Sequence, residues 1–327
     1  MPDLPFPRPY GITLGDASGI GPEVFLKACS QNQLPTAFRV FGDRAVLEFY
    51  DRKLGWAVNL NSLDIHNPGL LTRADIRPGE ISAPSGAAAR QYVIDATHAA
   101  LRGEISSLVT LPMNKEATQL SAPDFTGHTE LIGQLCGSRD VTIMLVSDQL
   151  IVTHVSTHVS LREAIARTKK ERVLKIIELT ARAVQRLRPN PQIAVAGLNP
   201  HAGENGLFGD EELREIRPAV EAAREQGWPV EGPFAPDTVF YLAVQKKRFD
   251  AIVCMYHDQG HIPLKLLDFE GGVNVALGLP IVRTSVDHGT AFDIAGQGIA
   301  STASFLRAVK LALRLSETAA TTPEAEH

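Results

Sequence analysis

Short apolar runs alternate with amphipathic stretches along the chain. Residues 10–14, 38–41, 105–110, 192–196 and 250–255 read as strands, and a stretch of helical spacing follows each. Residues 141–146 and 150–155 are β-rich on either side of Ser147-Asp148-Gln149, which predicts a hairpin. Pro22 with Glu23 behind it marks a helix start. Ser85 is expected to cap a helix through Arg102. Ser160 with Glu163, and Thr168 with Glu171, have capping-box spacing. The second box opens a helix that Pro189 and Pro191 stop at about Leu187. Asp237 is expected to cap a helix to about Lys247. Short strands at 273–276 and 281–284 precede a closing helix at 301–315. Strands alternating with helices predict an α/β fold with a largely parallel sheet, and the late strands predict a mixed portion. No Pro/Ser-rich linker occurs, so the chain is expected to cross between domains more than once.

The chain has 327 residues, about two domains at ~150 residues each. With 44% hydrophobic and 21% charged residues it has the balance of a soluble globular protein. A net charge of −5 argues against a nucleic-acid binder, which needs a basic surface. No apolar run approaches the ~20 residues of a membrane helix. The N-terminal stretch lacks a basic segment followed by an apolar one, so no signal peptide is expected. Cys29, Cys136 and Cys254 are scattered, which suits a reducing cytoplasm.

Three groups of residues carry candidate chemistry. Gly15-Asp16-Ala17-Ser18-Gly19-Ile20-Gly21 leads from a strand into a helix, a place suited to anions. Its glycine spacing matches neither the dinucleotide nor the P-loop fingerprint, and a plain tight turn is an equal reading. Ten histidines include His158, His201 and His257, each in or just after a strand end. Open α/β sheets bind ligands there, and three imidazoles with open positions would make a catalytic metal site. Taken singly, each is more often a solvated loop histidine. Lys265, Asn274 and Arg283 offer charge, a bidentate fork and neutral hydrogen bonds to a phosphate or carboxylate. Surface charge is the usual reading of such residues, but the surrounding stretch 271–298 is rich in glycine and apolar side chains. His128 and Thr129 add a second candidate anion position at a helix start.

Together these segments resemble the 4-hydroxythreonine-4-phosphate dehydrogenase (PdxA) family. The resemblance lies in residues 15–23, Phe125-Thr126-Gly127-His128-Thr129-Glu130, residues 154–164, Leu198-Asn199-Pro200-His201-Ala202-Gly203-Glu204, Pro236-Asp237-Thr238, Tyr256-His257-Asp258-Gln259-Gly260, and residues 272–298. It implies an isocitrate/isopropylmalate-dehydrogenase-like α/β fold, two subdomains with an active-site cleft between them. The expected subdomains are 1–20 plus 130–270, and 21–129 plus 271–327. It also implies a homodimer with active sites at the interface, NAD or NADP, and a divalent metal, Zn²⁺, Co²⁺, Mn²⁺ or Mg²⁺. Three neutral imidazoles suit the first three metals better than Mg²⁺. By the resemblance His158, His201 and His257 are the metal ligands, and His128, Thr129, Lys265, Asn274 and Arg283 contact a small anionic substrate. Ala17-Ser18 stands where the family has Pro-Ala. Asn114-Lys115-Glu116-Ala117 and residues 260–267 look more like a branch acting on 4-phospho-threonate or 4-phospho-erythronate, with relatives that oxidise a dicarboxylic cis-dihydrodiol.

The expected reaction is NAD-dependent, metal-dependent oxidation of a secondary alcohol in a phosphorylated hydroxy acid, with decarboxylation, as in pyridoxal phosphate biosynthesis. Asp237, Asp258 and Lys265 are the candidates for proton handling or for orienting a ligand. Cofactor contacts are expected from the glycine-rich segments, at Asn199, Gly203, Gly278, Leu279 and Asp287. A metal-dependent hydrolase is the rival reading, since it too would use three histidines.

Overall fold

The computed structural model describes residues 8–35, 37–269 and 271–319. They form two compact units, 8–139 with 279–317, and 140–278. The first unit opens with β1 (Tyr10–Thr13), β2 (Phe38–Phe41), β3 (Asp64–His66) and β4 (Leu108–Thr110). Its helices are α1 (Gly21–Ser30), α2 (Arg44–Leu54), α3 (Ala83–Leu101), α4 (Lys115–Gln119) and α5 (His128–Leu135). The second unit carries strands β5 (Thr142–Val146), β6 (Ile151–His154), β7 (Ile193–Ala196), β8 (Val230–Phe234), β9 (Ala251–Cys254) and β10 (Val273–Leu277). Its helices are α6 (Leu161–Arg167), α7 (Lys170–Gln185), α8 (Arg217–Glu225), α9 (Pro236–Val244) and α10 (His257–Leu267). The chain then returns to the first unit with β11 (Arg283–Val286) and α11 (Ala303–Ala319).

This division differs from the expected one at both ends. Residues 10–13 belong with 21–139, because β1 is hydrogen-bonded between β2 and β4. Residues 273–277 stay with the second unit, because β10 pairs antiparallel with β5.

In the first unit the strand order is β3-β2-β1-β4-β11, with every pair parallel. Successive strands run outward from β1 in one direction and then from β4 in the other. The switch point, where such sheets place ligands, therefore lies between β1 and β4. Ile12, Val40, Leu108 and Val109 are fully buried, as expected of a parallel sheet covered on both faces.

In the second unit the order is β10-β5-β6-β9-β7-β8. β5 pairs antiparallel with β10 and β6; the pairs from β6 to β8 are parallel. Val195 and Val253 pack with Val173, Ile176 and Val220, while their chain neighbours Ala194 and Ile252 pack with Val239 and Leu264 on the other face. That is the two-residue alternation of a strand with a core on each side.

Local signals mostly hold. Ser147 closes the β5–β6 hairpin, its Oγ accepting from the amides of Gln149 and Leu150. Ser160 caps α6 through the amide of Glu163. Thr168 does not cap α7; its hydroxyl donates back to Ala164, and Lys169 takes the cap position. Ser82, not Ser85, caps α3. Asp237 lies inside the first turn of α9, which starts at Pro236. No helix among the described residues is long and apolar enough to cross a membrane.

Candidate active site

β6, β9 and β7 are parallel neighbours in the second unit, so they end at one edge of the sheet. β6 ends on His154 and leads to His158; β9 leads to Tyr256 and to His257, the first residue of α10. The His158 and His257 rings lie 5.7 Å apart, beside a cavity of about 450 Å³ that they line with Ser160, Tyr256 and Asp258. Asp258 Oδ1 is 2.7 Å from His257 Nδ1. A carboxylate only accepts, so Nδ1 carries the proton and Nε2 is left as the free lone pair. His261, one turn on, stacks on His257 with ring centres 3.5 Å apart and planes 11° from parallel. Its Nδ1 lies 3.0 Å from the His257 carbonyl. Behind them His154 is fully buried, with Nδ1 3.3 Å from the Ile143 carbonyl and no partner for Nε2. Burial, with neighbouring His261 adding to it, lowers its pKa to about 3, so it is neutral.

His201 does not join this pair. Its ring neighbour is Phe208, at 6.0 Å. No group of three or more His, Cys, Asp or Glu among the described residues is placed to hold a metal. The expected trio His158, His201 and His257 is therefore not assembled within one chain, and a metal does not fit on these three side chains as they stand. His201 sits on an unusual backbone after β7. His201, Ala202, Gly203, Glu204 and Asn205 all have left-handed φ values, between 42° and 76°. Side chains with a Cβ resist this conformation by roughly 1–2 kcal/mol each.

The expected cofactor residues do not form one cradle within either unit. Asn199 and Gly203 belong to this left-handed loop. The Asn199 amide nitrogen already donates to Glu211 and Glu212, at 2.7 and 2.9 Å. Gly278 has φ +83°, and a Cβ there would lie 2.1 Å from the Asp140 carbonyl, so its glycine serves a close turn. Leu279 and Asp287 fall in the first unit. Of the candidates for proton transfer, Asp237 and Asp258 are exposed and Lys265 sits 5.4 Å over the Phe269 ring.

The residues expected to grip an anion are divided between the units: Lys265 and Asn274 in the second, His128, Thr129 and Arg283 in the first. Asn274, in β10, keeps a buried Oδ1 with no hydrogen-bond partner. Arg283 opens β11 and is only 2% exposed. Its Nε and Nη2 both donate to the hydroxyl of Thr110, at the end of β4, at 3.2 and 2.7 Å. Burial lowers the guanidinium pKa to about 10, with Glu130 opposing the shift. His128, at the start of α5, is held near 3 by burial first and by the Arg283 charge second. It is neutral, and its buried Nε2 has no partner.

The glycine loop is a structural turn. The amides of Asp16, Ser18, Gly19 and Ile20 are all satisfied inside the chain, by Pro112, the Asp16 side chain and carbonyl, and Thr290. A Cβ on Gly15 or Gly21 would meet a backbone carbonyl at 2.2 Å. Ala17 is buried and accepts the Tyr50 hydroxyl, which braces the turn without the family's proline.

Three participants were not singled out from sequence. Thr110 is the sole hydrogen-bond partner of the Arg283 side chain among the described residues. Asp16 is a buried carboxyl whose pKa burial raises to about 6. Glu212 is a buried carboxylate under the left-handed loop. Only Thr110 and Asp16 carried a signal, as polar residues beside strand ends.

Comparison with known proteins shows the family. Residues 33–312 match the family model described as pyridoxal phosphate biosynthetic protein PdxA. The chain is 44% identical to a D-threonate 4-phosphate dehydrogenase of Salmonella typhimurium, over 94% of this chain and 99% of that one. It is 43% identical to a 4-hydroxythreonine-4-phosphate dehydrogenase of Desulforapulum autotrophicum, over 92% and 94%. A crystal structure of 4-hydroxythreonine-4-phosphate dehydrogenase from Klebsiella pneumoniae superposes with a TM-score of 0.83 at 39% identity, covering 94% and 99%. A β-decarboxylating dehydrogenase of Thermococcus kodakarensis shares the fold alone, with a TM-score of 0.52 at 12% identity over 94% and 83%.

Proposed function

The chain belongs to the PdxA family of dehydrogenases, and on that premise we propose that it oxidises a 4-phosphorylated hydroxy acid with NAD and releases CO₂. D-threonate 4-phosphate is the first candidate and 4-hydroxythreonine 4-phosphate the alternative; they differ in a hydroxyl against an ammonium at C2. The family makes the rival hydrolase reading unnecessary.

The observation that carries the proposal is the buried Arg283 guanidinium with a single hydroxyl for a partner. A guanidinium has five N–H donors in a planar fork. Thr110 orients two of the nitrogens, Nε and Nη2, and the remaining donors suit the oxygens of a phosphate. His128 stands beside that charge with a neutral Nε2 able to accept from a substrate hydroxyl. Thr129, beside His128 at the start of α5 in the same unit, completes the proposed anion contacts there. Asp258 holds the His257 ring through Nδ1, leaving Nε2 directed by that bond. NAD, when bound, supplies the hydride acceptor.

The homodimer and the metal belong to the same proposal. α10 begins at His257 and carries Ile262 and Leu266 one turn apart, 64% and 85% exposed, with Phe269 just beyond at 74%. Apolar side chains so placed support an interface between two copies beside the histidines. A second copy then offers a way for its His201 to complete the pair that His158 and His257 form in one chain.

The test is NADH absorbance with both phosphorylated acids and their dephosphorylated counterparts. Turnover confined to phosphorylated acids is expected. Equal turnover of the dephosphorylated acids would remove the phosphate from the reading, and no NADH with any would remove the reaction class.

A further inference from the structure

We infer that Glu212 is a positioning residue, whose buried carboxylate holds the turn after β7 in the left-handed conformation that presents His201. The value of that presentation rests on the function proposed above; the hold itself does not.

The turn runs against the preference of its own sequence. His201, Ala202, Glu204 and Asn205 are all left-handed, and only Gly203 among the five adopts such φ values freely. Something outside the turn must over-determine it. Glu212 is 1% exposed and lies on a π-helical turn, Glu212–Ile216, that leads into α8. Its Oε1 accepts from the amides of Leu198 and Asn199, both at 2.7 Å. Its Oε2 accepts from the Asn199 side chain at 2.9 Å. One carboxylate thus fixes the two residues from which the turn departs.

Space around it is equally tight. A Cβ on Gly203 would lie 2.7 Å from Oε2, and one on Gly197 3.1 Å from Oε1. The chain wraps the carboxylate on both sides. The loop also closes on itself, with the Ala202 amide donating to Asn199 and that of Phe208 to Gly203. An extended or right-handed turn would carry His201 elsewhere.

Three variants and two readouts test this: Glu212→Gln, Glu212→Ala, and Glu212→Ala combined with Ala202→Gly and Asn205→Gly. The readouts are amide hydrogen exchange over residues 198–209 and the separation of kcat from KM in the NADH assay. Exchange in that segment should quicken at least tenfold in Glu212→Ala, with α7 and β9 unchanged. kcat should fall at least thirtyfold while KM moves less than threefold, and Glu212→Gln should lie between. Glycine enters the left-handed turn without the penalty a Cβ imposes, so the triple variant should recover tenfold or more of the lost kcat. A filler role alone would give no glycine rescue. Exchange unchanged in this segment, quickened throughout the unit, or not restored by the glycines overturns the inference. Exchange does not depend on substrate, so absence of NADH formation with every acid would defeat the functional reading while the exchange result still decides the role of Glu212.

Discussion

Arg283 and Thr110 are bonded twice through one oxygen: Nε and Nη2 of the guanidinium converge on the same hydroxyl, at 3.2 and 2.7 Å. The register of β4 with β11 creates this contact. Arg283 lies opposite Leu108, two residues before Thr110, and its side chain spans the offset.

Removing that hydroxyl leaves a buried charge without a partner. Thr110→Val should lower stability by about 1–3 kcal/mol and raise KM, whereas Thr110→Ser should stay close to wild type. Arg283→Lys keeps the charge and loses the fork. It should cost about 2–5 kcal/mol in kcat/KM, shared between kcat and KM because remote binding energy also orients the reacting carbon. Thermal unfolding and steady-state kinetics on these variants, Arg283→Ala and wild type check this. Wild-type kcat/KM in Arg283→Lys and in Arg283→Ala would make Arg283 a structural residue only.

His128 and Asp16 should tilt the pH dependence of stability in opposite senses. His128 titrates near 3 when folded and about 6.5 when unfolded. Between those values the unfolded chain holds the extra proton, so this stability is full above about 6.5 and is lost as pH falls toward 3. Asp16 titrates near 6 when folded against 3.8 unfolded. There the folded chain holds the extra proton, and stability falls as pH rises from about 4 to 6. In wild type the two slopes offset. His128→Asn should make the slope more negative by up to about 1.4 kcal/mol per pH unit, and Asp16→Asn more positive by a similar amount. Urea unfolding at pH 4, 5 and 6 measures both; parallel curves for all three proteins would reject the assignment.

A site completed by the partner's histidine predicts complementation. His158→Ala and His201→Ala homodimers should each be inactive. Mixed dimers should regain one intact site, since one copy keeps His158 with His257 and the other keeps His201. Activity near half that of wild type per mixed dimer is expected after co-expression and separation by two affinity tags. Mixed dimers as inactive as the parents would place all three histidines in one chain's site.

Leu266 is the most exposed large apolar side chain on α10. Leu266→Asp puts a charge into the proposed interface without touching the core, so the fold should persist while the dimer weakens. Sedimentation at micromolar concentration should show a monomer with wild-type circular dichroism and depressed activity. A stable, active dimer would move the interface elsewhere.

The periodicity of apolar residues was enough to read the α/β class, most element positions, the β5–β6 hairpin and the Ser160 cap, because those depend on neighbours within a few residues. It also placed His158 and His257 at strand ends, and the structure puts their rings 5.7 Å apart. The division into two units was not readable, since it depends on which strands pair: β1 takes β4 and β10 takes β5 across long stretches of chain. The glycine loop looked equally like an anion cradle and a tight turn; only the carbonyls of Pro112 and Leu14 packed against it decide for the turn. Asn199 looked free to meet a cofactor until Glu211 and Glu212, a dozen residues on, took its amide. The sequence determined which residues could do chemistry; tertiary contacts alone decided which of them remained free to do it, because a buried polar group must find a partner and takes the one the fold brings within reach.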